Sequence, residues 1–589
     1  MLPALCATSL LAADFVTLPA TTVQVTDPTT GIPVQVRISP FLVSKHEVTQ
    51  SEYEKVVGVN PSVNKGENLP VHNVSWWDAI RYCNLRSIAE KLEPCYDLST
   101  GVCDLTKNGY RLLTDAEWTY AAGKALNREK GKEVPQANLG PSGTKDTGLL
   151  IDYVRRSAIK PAGSFPPNEH GLYDMIGNVW EWVQDYQDPS GAISAVFNPS
   201  GPRWGVARVI RGGSYVTTTS TWSRNFRSSM EPDRRSPYTG FRVCRSLPQP
   251  EPAVNEQQWV QPYQQTPAAF VNQTGGLSSL TEGIRNPEEW RSRKAELRKK
   301  WERILGAMGL QPRVPAVRHV ATHEEPLFKG ELLYLQVEPD YWEKIYVMLP
   351  HGVDASRPLP VVIVPYYDVD TPAGKSMGGR QSTPPGTRAY GHLAAQYGMA
   401  AVAIRWFGES YGENSSEVIA NLKMRHPNTT GLGKWVWDAQ RLLDYMATRP
   451  EFDMERVGMI GHSLGGKMTL YAAAMDERIR VAVSSEPGIG LTFSNYDDFW
   501  YLGERIRKLE PGTDHHELLA LIAPRPFLLI GGDSADNDKS WYYINAARRV
   551  YSLFGAPHRV GYLNHRKGHS PTPEAISLAM EWLRYFLKP

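Results

Sequence analysis

The last 345 residues contain no cysteine. All five (Cys6, Cys83, Cys95, Cys103 and Cys244) fall within the first 244, so any disulfide belongs to the first half. No C-x-x-C or His/Cys cluster points to zinc. An excess of charge of one sign is also missing: 64 Lys+Arg against 62 Asp+Glu leave +2. No global field therefore draws the chain to nucleic acid or an anionic membrane. No apolar run approaches the ~20 residues of a spanning helix. Neither a nucleic acid nor a membrane is expected as a partner. There is no internal repeat. The balance of 41% hydrophobic and 21% charged residues is globular and excludes wholesale disorder, collagen and coiled coil. Because single cores stop growing near roughly 250–300 residues, 589 residues imply at least two domains.

The opening, Met1 to Ala13, is apolar and ends in small residues, as the end of a secretory signal does, although it lacks a basic start. It is read as a signal-peptide remnant over 1–13, or else a mobile terminus. A secreted or periplasmic protein is expected. In that setting Cys95 and Cys103, which flank a polar turn at 96–102, would close a small disulfide loop, and Cys83 would pair with Cys244. Buried free thiols in a reducing compartment are the alternative.

Residues 14–248 are rich in Gly, Pro, Trp and Tyr and poor in long periodic segments. Two helices are expected there, one capped by Ser75 and one by the Thr114-x-x-Glu117 capping box. Residues 249–285, rich in Pro, Gln, Asn and Thr, read as a linker. From 286 to 589 the pattern changes. A charged amphipathic helix over 287–308 comes first. Short apolar strands near 360–364, 400–404, 457–460, 481–485, 526–530 and 560–563 then alternate with helices, as in a mostly parallel α/β sheet.

One motif dominates that half: Gly461-His-Ser463-Leu-Gly465, set between a strand and a helix. At such an elbow Ser463 adopts a strained conformation that lifts its hydroxyl above the sheet, and side chains at 461 and 465 would clash. The Leu464 NH, at a helix start, can hold an oxyanion. A hydroxyl nucleophile needs a base and an orienting acid, in the chain order Ser, acid, His. His569 is the expected base and His565 the alternative. Asp536, in the loop after the 526–530 strand, is the expected acid, with Asp533 as runner-up. Asp538 is read as a helix-start charge. The pair His515-His516 invites a metal reading, but a helix capped by Asp514 with Glu517 completing the box accounts for it. Trp435 and Trp437 are expected in the core.

These residues make the second half resemble the α/β-hydrolases, and within them esterases of the dienelactone-hydrolase and acetyl-xylan-esterase type. The resemblance extends to Trp437-Asp438-Ala-Gln-Arg441 and to His516 through Pro526. It implies a second oxyanion donor; the loop Pro365-Tyr366-Tyr367-Asp368 departs from the family in having no His-Gly-Gly-Gly run, and a backbone NH near Tyr366 or Tyr367, with Tyr367 preferred, is expected to serve.

The first half carries its own signature: Phe41–Thr49, Pro70-Val-His-Asn-Val-Ser75-Trp76-Trp77, Gly109-Tyr-Arg-Leu-Leu-Thr114, Gly171-Leu-Tyr-Asp174-Met-Ile-Gly177-Asn178-Val179-Trp180-Glu181-Trp182, Arg211-Gly-Gly-Ser-Tyr215 and Gly240-Phe-Arg242. These resemble the sulfatase-modifying-factor (formylglycine-generating enzyme) domain. That resemblance implies a loop-rich α+β, C-type-lectin-like fold and supports pairing Cys83 with Cys244. It also implies a calcium site made by Asp174, the Gly177 and Val179 carbonyls, and Glu181, with a second site beginning at Asn138. The family's two catalytic thiolates fall at Thr217 and Trp222, neither of which can replace a copper-binding sulfur. The domain is therefore expected to be non-catalytic.

The resulting expectation is a two-domain serine esterase acting through an acyl-enzyme, with no cofactor for catalysis. Its substrate would be a small acyl ester or an ester on plant polysaccharide. A serine peptidase, a formylglycine-type modifying protein and a carbohydrate-binding protein remain the alternatives.

Overall fold

The computed structural model describes residues 14–27, 31–126, 137–139, 158–187, 195–202, 205–217, 227–247, 255–351, 358–377 and 386–588. The opening Met1–Ala13, with Cys6, lies outside them, as does Trp222. Two compact units emerge, one of residues 1–25 and 35–251, the other of 26–34 and 252–589. Among the described residues no helix is long and apolar enough to cross a membrane.

In the first unit, two small four-stranded sheets frame a buried aromatic core. One orders Phe15–Leu18, Phe41–Ser44, Cys244–Ser246 and Tyr110–Arg111; the other orders Arg227–Met230, Arg208–Arg211, Trp180–Tyr186 and Thr239–Gly240. Helices Gln50–Val57, Trp76–Ala89 and Asp115–Ala122 each begin with a complete capping box, on Thr49, Ser75 and Thr114. Trp76, Trp118 and Trp182 are fully buried, and the indole NH of Trp76 donates to Val183 O and that of Trp182 to Val74 O. Long loops with short strands and helices match the expected loop-rich α+β domain.

One expectation for this unit changes. Cys83, Cys95, Cys103 and Cys244 are all free thiols. The Cys244 sulfur accepts a hydrogen bond from Arg111 Nη1 at 3.0 Å instead of meeting Cys83. Tyr96 and Cys103 form an isolated antiparallel bridge, and the neighbouring Cys95 and Cys103 thiols are hydrogen-bonded. The residues expected to hold calcium adjoin one another, Glu181 acting electrostatically on Asp174. Glu181 spends both oxygens on Arg242 (2.6 and 2.8 Å) and on the Trp118 indole (2.7 Å). Asp174 Oδ2 accepts the Gly163 NH, leaving Oδ1 buried without a partner. The carbonyl of Asn138 accepts the Asn178 NH. Among the described residues no cluster of three or more His, Cys, Asp or Glu side chains is arranged to hold a metal.

The second unit is built on a nine-stranded sheet. Its strands are β1 (Val317–Glu324), β2 (Phe328–Glu338), β3 (Tyr341–Pro350), β4 (Leu359–Tyr366), β5 (Ala400–Arg405), β6 (Phe452–His462), β7 (Ile479–Ser485), β8 (Phe527–Gly531) and β9 (Val560–Asn564), in the spatial order 1-2-3-5-4-6-7-8-9. The first three are antiparallel, and β3 joins β5 antiparallel; from β5 onward all pairs are parallel. Helices cover the sheet, among them α1 (Pro287–Leu305), α2 (Gly431–Met446), α3 (Leu464–Met475), α4 (Trp541–Leu553) and α5 (Pro573–Leu587). Strands β4, β6, β7 and β8 are almost wholly buried, which is why they read as unbroken apolar runs rather than alternating ones. This is the α/β-hydrolase arrangement.

The stretch expected to be a linker packs onto this unit from 255 onward. Trp259 stacks on Tyr585 with ring centres 4.0 Å apart, Tyr263 donates to Leu578 O, and Asn545 donates to Phe270 O at 2.7 Å. Its scattered aromatics cover α5 and the β9 end of the sheet. Trp435 is buried in the core, as expected, and its indole donates to Met468 O; Trp437 is only half-buried, its indole donating to Val337 O. The Asp514 cap is not formed. Asp514 accepts from Tyr543 and the Leu491 NH instead, and Glu517 binds Lys300 and Trp301.

Candidate active site

Strand β6 ends at His462 and α3 starts at Leu464. Between them Ser463 sits at φ 55°, ψ −111°, a conformation costly for any residue with a Cβ. The neighbouring glycines make it attainable. A Cβ on Gly461 would stand 2.1 Å from Gly465 O, and one on Gly465 would stand 2.4 Å from Pro365 O. The Ser463 NH is tied to Ser485 O at 2.8 Å, which locks the elbow against β7.

The half-buried Ser463 Oγ lies 2.9 Å from His569 Nε2. The His569 ring stands on the loop after β9 and is 44% exposed. Its Nδ1 is 3.5 Å from Glu486 Oε2. Glu486 immediately follows β7 at φ 51° and is fully buried. Its Oε2 also accepts the NH of Ala535 (2.9 Å) and of Asp536 (3.3 Å).

The acid facing the histidine is therefore Glu486, not the expected Asp536. The Asp536 carboxylate is taken up by the NH groups of Gly488 and Ile489, each at 2.7 Å, and by Ser540 Oγ at 2.9 Å. Burial, reinforced by nearby Glu486, pushes Asp536 up to about 7. It buttresses the turn that carries Glu486. Asp533 and Asp538 bind Asn564 and Arg566 at the surface. His565 makes no hydrogen bond to the serine; its Nδ1 accepts the Lys567 NH. Glu486 also obeys the chain order Ser, acid, His. The signal that would have found it was an acid directly at the C-terminal end of the strand after the elbow, in Ser484-Ser485-Glu486.

Leu464, as the first residue of α3, has an NH outside the intrahelical pattern. The β4 end that carries Tyr366 and Tyr367 adjoins the elbow, since Pro365 O approaches Gly465. Two cations border the site. Lys467, one helical turn past the serine, is buried, donates to Ser494 Oγ at 2.9 Å, and is drawn down to about 8 by desolvation. Arg388 donates to Tyr366 OH and to Ser570 Oγ. His462 is buried beside the His569 ring, with centroids 4.8 Å apart, and is held well below the ordinary histidine range by burial and then by Arg388.

A buried strained elbow, a serine–histidine contact and a carboxylate behind the ring define a hydrolase site of the nucleophile-elbow class. Comparison with known proteins specifies the two halves further. The family model for glucuronyl esterases of fungi matches residues 421–496, the stretch holding Ser463 and Glu486, so the second unit is an esterase-type α/β-hydrolase. A solved glucuronoyl esterase from Solibacter usitatus aligns with 51% of this chain and 93% of its own at 19% identity and a TM-score of 0.43. The model of the sulfatase-modifying factor enzyme 1-like domain matches residues 6–247. The chaperone protein LppX of Paenibacillus barcinonensis is 34% identical over 36% of this chain and 82% of its own length. Mouse formylglycine-generating enzyme is 34% identical over 32% of this chain, which spans about half (47%) of the mouse protein. Through its first half the chain belongs to the sulfatase-modifying factor enzyme 1-like family.

Proposed function

We propose that the chain is a serine carboxylic-ester hydrolase acting through an acyl-enzyme on polysaccharide-linked esters, uronoyl or small acyl, with a non-catalytic first unit. The observation that carries this reading is the 2.9 Å contact between His569 Nε2 and Ser463 Oγ at the strained elbow, with Glu486 behind the ring.

In this mechanism Ser463 Oγ attacks the ester carbonyl while His569 Nε2 takes its proton. Glu486 stabilises the imidazolium and fixes the ring. The NH groups of Leu464 and Tyr367 hold the tetrahedral oxyanion. Collapse expels the alcohol, which receives the proton from His569. Water, activated by the same imidazole, then releases the acid. The open face of His569 suits entry of a bulky alcohol such as a polymer. The substrate class is supported by the family matched over 421–496.

The first unit lacks the thiol that formylglycine chemistry requires at position 217. Thr217 instead shares hydrogen bonds with Ser214 through its NH and hydroxyl. Hydrolysis of p-nitrophenyl acetate by the chain and by Ser463→Ala tests the reading. Loss of at least 10³-fold in the variant is expected from a triad serine, and equal rates would overturn it.

A further inference from the structure

Arg388 is a half-buried guanidinium without an acidic partner. Its hydrogen bonds go to two neutral hydroxyls, Tyr366 OH at 3.2 Å and Ser570 Oγ at 3.0 Å. Among the described residues no Asp or Glu forms an ion pair with it. Within the same unit Arg405, Arg449 and Arg478 are paired with acids, while Arg505, Arg525 and Arg548 have no acidic partner but make three or more hydrogen bonds each to carbonyl and side-chain oxygens; Arg388 has only its two hydroxyl contacts.

The position is as telling as the missing partner. Ser570 follows the base His569. Tyr366 closes β4, next to the oxyanion donor Tyr367. His462, whose titration Arg388 depresses, precedes the nucleophile. The guanidinium is thus tethered to the residue after the base and to the residue before the oxyanion donor. A cation there that is not needed for an internal ion pair is available to an anion from outside. Two of its five N–H donors are engaged, and the planar fork that remains matches a carboxylate.

We propose that Arg388 forms a subsite for a free carboxylate carried by the substrate close to the ester being cleaved, so that the enzyme favours esters on acidic carriers such as polyuronates. The proposal rests on the esterase reading above and names its substrate class.

The test compares kcat/KM for 4-acetoxybenzoate with that for its neutral isostere 4-acetoxybenzamide, with phenyl acetate as a baseline. Each is measured on the full chain and on Arg388→Ala, Arg388→Lys and Ser570→Ala. The wild-type protein should favour the anion at least tenfold, mostly through KM, and the preference should shrink with added salt. Arg388→Ala should abolish the preference, the anionic ester losing at least tenfold more than either neutral ester. Arg388→Lys should keep part of it. Ser570→Ala, which removes one tether but not the charge, should keep it. Equal rates on both isosteres in the wild-type protein, or a preference that survives Arg388→Ala, would overturn the proposal. Absence of phenyl acetate hydrolysis by the wild-type protein would instead refute the esterase reading, and this proposal with it.

Discussion

Replacing Glu486 by Gln probes the site at its most surprising residue. In the transition state for acylation the His569 ring carries a positive charge. The Glu486 Oε2 to His569 Nδ1 separation is 3.5 Å. Opposite unit charges at that distance attract by roughly 5 kcal/mol at an effective dielectric of about 20. The ring is 44% exposed, so solvent screens part of this, leaving about 3–4 kcal/mol, or a 10²–10³-fold loss in kcat. The amide oxygen of Gln can still accept the Ala535 NH, so the fold should persist. The assay is the initial rate on p-nitrophenyl acetate at saturating substrate, with a thermal melt confirming that the variant is folded. Asp536→Asn is the companion. An amide nitrogen would face one of the NH groups that Asp536 now accepts, costing about 1–3 kcal/mol of stability, but kcat should fall less than tenfold. A Glu486→Gln enzyme within threefold of wild type, beside a collapsed Asp536→Asn enzyme, would refute the assignment.

Gly465→Ala forces a Cβ to within 2.4 Å of Pro365 O; a destabilisation of about 1–3 kcal/mol, read by urea unfolding, should accompany loss of most activity. Lys467 titrates near 8 when folded against about 10.4 unfolded. The unfolded chain therefore binds more protons between these values, and this residue makes stability rise with pH from about 8 to about 10.4. Lys467→Met should remove that increment from the pH dependence of the denaturation midpoint. Glu181→Ala strands the buried Arg242 guanidinium and should cost about 3–5 kcal/mol, seen as a lowered melting temperature. The four thiols at 83, 95, 103 and 244 are free, so denatured, unreduced protein should react with a thiol reagent at all four, and a reductant should add none.

Much of this was legible in the sequence because the informative features were local. The elbow glycines, the capping boxes on Ser75 and Thr114, and the apolar runs of β4 to β9 depend on neighbours a few residues away. The antiparallel strands β1 to β3 are not legible in the sequence. β1 is largely exposed, and β2 and β3 mix charged with apolar residues, so neither shows the buried-strand pattern. The acid was missed for a different reason. Two loops end near the histidine, and only the fold decides which carboxylate turns toward it. Asp536 is drawn inward by the Gly488 and Ile489 NH groups, a contact across 47 or more residues that no spacing rule reports. The 255–285 segment looked like a linker by composition, yet Trp259 and Tyr263 anchor it to α5.

The central claim is that Ser463 is the nucleophile of an acyl-enzyme. Stoichiometric labelling with a fluorophosphonate, followed by peptide mass mapping, tests it most directly. One label per chain, carried on Ser463 and lost in Ser463→Ala together with ester hydrolysis, is the predicted result. A folded, hydrolytically active chain that takes no label, or takes it at another residue, would contradict the account.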